Sequence, residues 1–333
     1  MLGGLEVSAV GLGCMGFSQG YGPADDAESQ EALRSALDLG VTLLDTAMSY
    51  GGGRNEELIG RAIAGRRDEV VLATKFGIVR GPDGVTVDAR PDQVRGYCED
   101  SLRRLGTDRI DLYYLHRVDP RVPVEATFAA MAELVADGKV RYLGICECTP
   151  DQLERAAAVH PVSAVQFEWS LTWREPEDDI VPAARRLGAG VVPYSPLGRG
   201  MLAGVLPAAF GPGDMRAGDQ RFHGRDLDRN MALSAAVAEV AVDLRITPGQ
   251  LALAWLLARG PDVVPIPGTR RASRLAENAA AADITLTAAD LDRLEAAAPR
   301  AAWSGDRRSF AAAGTSRTRP GQAAEAGAPD TGA

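Results

Sequence analysis

Four residues of different chemistry stand at or just beyond the ends of three apolar runs. Asp45 closes VTLLD, Tyr50 follows in TAMSYGGG, Lys75 closes VVLATK and His116 closes LYYLH. Singly each has an ordinary structural role; together they form a proton-transfer set. A phenol releases its proton reluctantly at neutral pH, and an adjacent ammonium stabilises the phenolate and lowers its pKa. Lys75 is expected to be that ammonium, and a lysine at the end of a buried strand needs a carboxylate, which Asp45 is placed to supply. Tyr50 then serves as a general acid toward a carbonyl oxygen, with His116 orienting that oxygen by a hydrogen bond. None of the four is an obvious nucleophile for the carbonyl carbon, so the set implies a hydride donor.

Two segments compete to bind that donor. GLGCMG at 11–16 matches G-x-G-x-x-G, but FSQGYGPADD intervenes before any helical pattern, whereas the dinucleotide fingerprint needs a helix opening on its last glycines. The match is weak, and the glycines read as a tight loop or turn. GTRRASRLAEN at 268–278 fits better: Gly268 and Thr269 form a turn feeding a helix, whose free N–H groups and dipole favour an anion. Arg270 and Arg274, with Glu277 and Asn278, are expected to share one helical face; the arginines suit a phosphate monoester and the acid and amide suit an adenine edge. This points to NADPH/NADP+ over NAD(H). In PYSPLGRGML, Tyr194 is expected on a flat ring, with Ser195, Leu197, Gly198 and Gly200 along a pyrophosphate.

These residues need elements to bring them together. Eight β-rich runs, VSAVGLG, VTLLDT, VVLATK, LYYLH, VRYLGIC, AVQFE, VVPYS and VVPIP, alternate with Ala- and Leu-rich segments of helical spacing, several ending at glycine. Such alternation implies parallel strands, and eight repeats predict a single (β/α)8 TIM barrel with its active-site rim at the C-terminal strand ends. The barrel is expected over residues 1–310, with a long loop after strand 7 (196–228) and a disordered C-terminal tail over 311–333. A net charge of -9 argues against general nucleic-acid or anionic-membrane binding. No apolar stretch approaches the roughly 20 residues of a bilayer helix, so the expectation is a cytoplasmic protein acting on a small molecule, with no membrane partner. Four scattered cysteines predict reduced thiols. Tyr21, Trp169 and Trp173 are candidates for the substrate pocket.

The combination of DTAMSYGGGRNEELIGRAI, VVLATKFG, IDLYYLHRVDPRVPVE, GKVRYLGICE, VVPYSPLGRGML and VPIPGTRRASRLAEN resembles the aldo-keto reductase family, in particular its bacterial branch, from about residue 5 to about 310. The resemblance implies a barrel without a Rossmann domain, NADPH across its mouth, and NADPH-dependent reduction of an aldehyde or ketone to the alcohol. It also implies a tetrad of Tyr50 as proton donor, Lys75 lowering its pKa, Asp45 pairing with Lys75 and His116 positioning the carbonyl. Gln166, with Cys146 and Glu147, is implied near the nicotinamide carboxamide. Cys146 stands where the family usually has serine or asparagine. Cys146 and Cys148 would share one strand face as a Cys-x-Cys pair, but no metal-type cluster accompanies them, so no metal is expected. Two other functions fit the same residues: a non-catalytic NADP(H)-sensing regulatory subunit of the same fold, and a Schiff-base aldolase using Lys75.

Overall fold

The computed structural model describes residues 1–81, 84–204 and 206–307. The tail expected over 311–333, and the last three residues of the expected 1–310 barrel, lie outside them. The described residues form nine strands: β1 (Leu12–Gly13), β2 (Leu43–Asp45), β3 (Val71–Phe76), β4 (Ile78–Gly81), β5 (Gly84–Val87), β6 (Ile110–Leu115), β7 (Val140–Cys146), β8 (Val162–Glu168) and β9 (Gly190–Tyr194). Seven of them form one parallel sheet in the order β1-β2-β3-β6-β7-β8-β9.

The eighth run, VVPIP, closes the sheet without being a regular strand. Val264 and Ile266 donate to the carbonyls of Val191 and Pro193 on β9, while Pro265 and Pro267 accept from Gly11 and Gly13 beside β1. Proline has no N–H, so the two donors that would face β1 are missing and the ladder on that side runs one way only. The seam is tight as well: a Cβ on Gly13 would lie 2.7 Å from the Ile266 carbonyl oxygen, and one on Gly11 would lie 2.9 Å from the Ile266 side chain. The first glycines of GLGCMG therefore serve barrel closure.

Among the described residues ten α-helices surround the barrel: α1 (Asp26–Asp38), α2 (Arg54–Ala62), α3 (Pro91–Leu105), α4 (Val124–Ala136), α5 (Pro150–Val159), α6 (Ile180–Arg186), α7 (Gly224–Asp243), α8 (Pro248–Leu257), α9 (Ala272–Ala279) and α10 (Ala288–Ala297). Their starts follow local chemistry. Thr149 and Gln152 close a capping box on α5, Thr247 and Gln250 repeat it on α8, and Thr287 with Asp290 caps α10. Among the described residues no single helix is long and apolar enough to cross a membrane; α7 and α8 pass that test only as a pair bent by 87°, and the apolar side chains of α8 are buried in the core.

Side-chain alternation along the strands decides what reaches the barrel interior. Leu43, Ala73, Leu112, Tyr114, Cys146, Ala164, Val192, Val264 and Ile266 pack there, with Leu2 and Leu5 of an N-terminal turn. Two residues beyond an inward Leu43, Ala73, Tyr114, Ala164 or Val192 come Asp45, Lys75, His116, Gln166 and Tyr194. One period thus carries five polar side chains to the C-terminal end of the barrel. Gly144 belongs to this layer, since a Cβ there would lie 2.4 Å from the Tyr114 ring. The Cys-x-Cys expectation fails at the same end. Glu147 has φ of 49°, which breaks the alternation after β7, so Cys146 faces the interior and Cys148 the outer core. Among the described residues no His, Cys, Asp and Glu cluster fits a metal.

Candidate active site

Asp45 and Lys75 end neighbouring strands, β2 and β3, and form a buried ion pair. Lys75 also donates to the Thr46 carbonyl (2.7 Å), and Gln166 Nε2 donates to the second Asp45 oxygen (2.8 Å). Burial works against the Lys75 charge, but Asp45, with help from Tyr50 and Cys146, holds the ammonium above the ordinary lysine pKa. The Lys75 Nζ lies 5.2 Å from the centre of the Tyr50 ring, and that ring meets His116 edge-on at 5.9 Å between centroids. The GGG that follows Tyr50 is needed for the turn: Gly51, Gly52 and Gly53 all have positive φ.

The proton balance at Tyr50 differs from the sequence expectation. Burial raises the phenol's pKa, and the opposing Lys75 charge reduces that rise without reversing it. Lys75 thus offsets burial, and Tyr50 is a protonated acid at neutral pH. Burial, with help from Arg117, Lys75 and Arg80, holds His116 well below the usual histidine pKa. A neutral imidazole can still donate from one nitrogen, and the His116 Nδ1 has no hydrogen-bond partner among the described residues.

Tyr50 and His116 open on a cavity of about 880 Å³. Asp45, Gln166, Tyr194, Ser195, Leu197 and Gly200 line it on one side, and Gly268, Thr269, Arg270, Arg274, Glu277 and Asn278 on another. Tyr21 is also on its wall. Lys75, Cys146, Glu147 and Gly198 lie behind the wall. The hairpin β4–β5, which the eight-run pattern missed, supplies a further side through Ile78, Arg80 and Val85–Val87. Its signal was the GPDG between two valine-containing runs.

Three groups of site expectations need correction. Trp169 and Trp173 do not reach the cavity; both are buried, Trp169 against Trp255 with its Nε1 donating to Glu177, and Trp173 against the guanidinium groups of Arg221 and Arg307. Glu147 is taken up by Arg307, which reaches its two oxygens at 2.7 and 2.6 Å, and by the Tyr194 hydroxyl at 2.8 Å. Arg270 precedes α9 and cannot share its face with Arg274; its guanidinium donates to the carbonyls of Gly16 (2.7 Å), Gly22 (3.2 Å) and Pro23 (2.6 Å). Arg274 pairs with Glu277, which also accepts from Thr247 (2.7 Å). The acid placed at an adenine edge is therefore already committed, while the first N–H groups of α9 have no side-chain cap.

Sequence patterning also missed a buried charge cluster under the rim. Glu168 at the end of β8 holds Arg221 at 2.6 Å and Arg199 at 3.2 Å, and Asp219 completes the pairing of Arg221 at 2.6 Å. It pins the long loop after β9 to the barrel. Nothing local marks the two Glu168 pairs, which join residues 31 and 53 apart in the chain.

The chain is similar to known proteins in sequence and in fold. The family model described as the aldo/keto reductase family matches residues 9–299. A probable aldo-keto reductase 1 from Glycine max is 43% identical over 301 residues, covering 89% of this chain and 87% of that protein. Among solved structures, the glycerol dehydrogenase of Gluconobacter oxydans superposes with a TM-score of 0.82 at 29% identity, over 89% of this chain and 94% of that one. An aldo/keto reductase from Klebsiella pneumoniae, in complex with NADP and acetate, superposes with a TM-score of 0.70 at 31% identity, over 90% and 94%. With its closed barrel and a match running over nearly all of its described length, the chain belongs to the aldo/keto reductase family.

Proposed function

We propose that the protein is an NADPH-dependent reductase that converts an aldehyde or ketone to the alcohol, with Tyr50 as the proton donor. The observation that carries this reading is the meeting of the Tyr50 phenol and the neutral His116 imidazole on one cavity wall, with Lys75, ion-paired to Asp45, directly behind them. NADP and NADPH complexes of the Klebsiella pneumoniae relatives support the choice of cofactor.

The residues present fit such a cofactor. The cavity is continuous from His116 to the cationic turn at Arg270, Arg271 and Arg274, and α9 offers uncapped N–H groups at that end, suited to a 2′-phosphate. Tyr194 offers a ring face and Gln166 an amide for the nicotinamide end. When bound, NADPH supplies hydride to the carbonyl carbon. His116 orients the carbonyl oxygen, and Tyr50 transfers its proton to that oxygen as negative charge develops there. Lys75 then stabilises the phenolate until solvent returns the proton.

A Lys75 Schiff base is disfavoured. Its amine would have to be neutral and reach the substrate, whereas Lys75 is fully buried, ion-paired and shifted toward the charged form. Fluorescence titration with NADPH, followed by oxidation with a panel of aldehydes and ketones, tests the reading. Carbonyl-dependent oxidation is expected. Replacing Tyr50 with Phe is expected to lower kcat by about 10² to 10⁴ while NADPH binding is retained. Full turnover by Y50F would remove Tyr50 as the donor, and tight NADPH binding without turnover by the unaltered chain would favour a regulatory subunit.

A further inference from the structure

The wall that carries Tyr50 and His116 also carries a cation that has no carboxylate partner among the described residues. Arg117 follows His116 at the end of β6, is 6% exposed and lines the cavity. Among the described residues its only hydrogen bond runs from Nη1 to the carbonyl of His116, at 2.6 Å, and it takes part in no ion pair. The other four buried arginines each have a carboxylate: Arg199 has Glu168, Arg216 has Asp214, Arg221 has Asp219 and Arg307 has Glu147. Carboxylates at this end of the barrel are already taken. Asp45 is held by Lys75 and Gln166, and Glu147, which feels the Arg117 charge, has both oxygens on Arg307.

A buried charge without a partner is costly, and a cavity-facing guanidinium finds its partner most readily in a planar anion. Arg80, on β4 at the rim, has only neutral partners as well, the Ser49 carbonyl at 3.2 Å and the Gln19 amide oxygen at 3.3 Å. Both cations act on His116, since each helps to keep its imidazole neutral. This pair is separate from the arginines suited to a cofactor phosphate. β6 and the eighth run stand four places apart in the closed barrel, on opposite sides of its mouth.

We propose that Arg117 is a substrate-anion site, so that the preferred substrate is an aldehyde or ketone carrying a carboxylate near its carbonyl, with Arg80 assisting from the rim. A single buried guanidinium compensates one negative charge, which matches a carboxylate better than a dianionic phosphate. This inference rests on the reductase reading and specifies its substrate class.

The test compares matched pairs, 4-oxobutanoate with butanal and 4-formylbenzoate with its methyl ester, by kcat/KM in the unaltered chain, Arg117→Met and Arg117→Lys. A preference of at least about tenfold for the carboxylates is expected, erased by Met and partly restored by Lys. Benzoate binding to the protein with NADP+, measured by calorimetry, gives a readout without turnover and should be lost in Arg117→Met, with far-UV circular dichroism checking that the variant folds. A preference for the neutral partner, an equal fall for both partners in Arg117→Met, or benzoate binding that ignores the substitution would overturn the anion site. Turnover of neutral carbonyls without benzoate binding would leave the reductase and remove the anion site. Arg117-dependent benzoate binding without turnover of any carbonyl would do the reverse.

Discussion

At Lys75 an ammonium has been taken out of water and is held by a single carboxylate, so the pair is tied to folding as well as to the proposed proton transfer. Lys75→Met strands the buried Asp45 and is expected to destabilise the protein by about 3–5 kcal/mol. Asp45→Asn combined with Lys75→Met should cost less than the sum of the two single changes, as measured by urea denaturation; simple additivity would mean that the two side chains do not act as a pair. His116 makes a different statement about pH. Its folded pKa lies well below the ordinary value near 6.5, so its charge state does not change between about pH 8 and 6. The pH profile of kcat/KM is expected to stay flat across that interval, and an inflection near 6.5 would show that His116 titrates as an exposed histidine does.

At the scale of elements, the barrel depends on an unusual joint. β1 has two residues, and the segment beside it alternates proline with Val264 and Ile266, so few hydrogen bonds close the ring there. Close backbone approach compensates, and Gly13 makes it possible. Gly13→Ala would place a methyl 2.7 Å from the Ile266 carbonyl oxygen, a backbone atom that cannot swing aside. The expected loss is about 1–3 kcal/mol, read from the denaturation midpoint, with weaker NADPH binding because Gly268 and Thr269 follow directly from the joint. An unchanged midpoint would mean that the seam yields easily. The first two glycines of the G-x-G-x-x-G spacing, Gly11 and Gly13, therefore arise from packing, which a motif search on residue type cannot distinguish from phosphate binding.

For the whole molecule, the buried carboxylates under the rim hold the long loop and residue 307 onto the barrel. Burial opposes the Glu147 charge, yet Arg307 and its hydrogen bonds bring the pKa down to about 2 from 4.5. The folded pKa is the lower one, so the resulting stability is fully present above about pH 4.5 and is lost as pH falls toward 2. A shift of this size corresponds to roughly 3 kcal/mol. Glu147→Gln should therefore be less stable than the unaltered chain at pH 6, with the gap narrowing at pH 3; a gap independent of pH would assign the loss to packing. Tyr194 shares this pairing through its hydroxyl, so the same substitution is expected to weaken NADPH binding.

Much of this was legible along the chain because it is local. Strand–helix alternation announced the barrel, and period-two spacing from Leu43, Ala73 and Tyr114 carried Asp45, Lys75 and His116, each at the end of an apolar run, to one rim. Residue types then favoured proton transfer at a carbonyl over the other chemistries that fit the same rim. Tertiary structure alone decided the rest, since it depends on which distant side chains meet. It buried Trp169 and Trp173 in the core, spent Glu147 on Arg307, tied Arg270 to the loop at Gly16–Pro23 and left Arg117 on the cavity wall with no carboxylate among the described residues. The physical reason is that periodicity fixes which face a side chain occupies, whereas charge compensation is settled only when the whole barrel has closed.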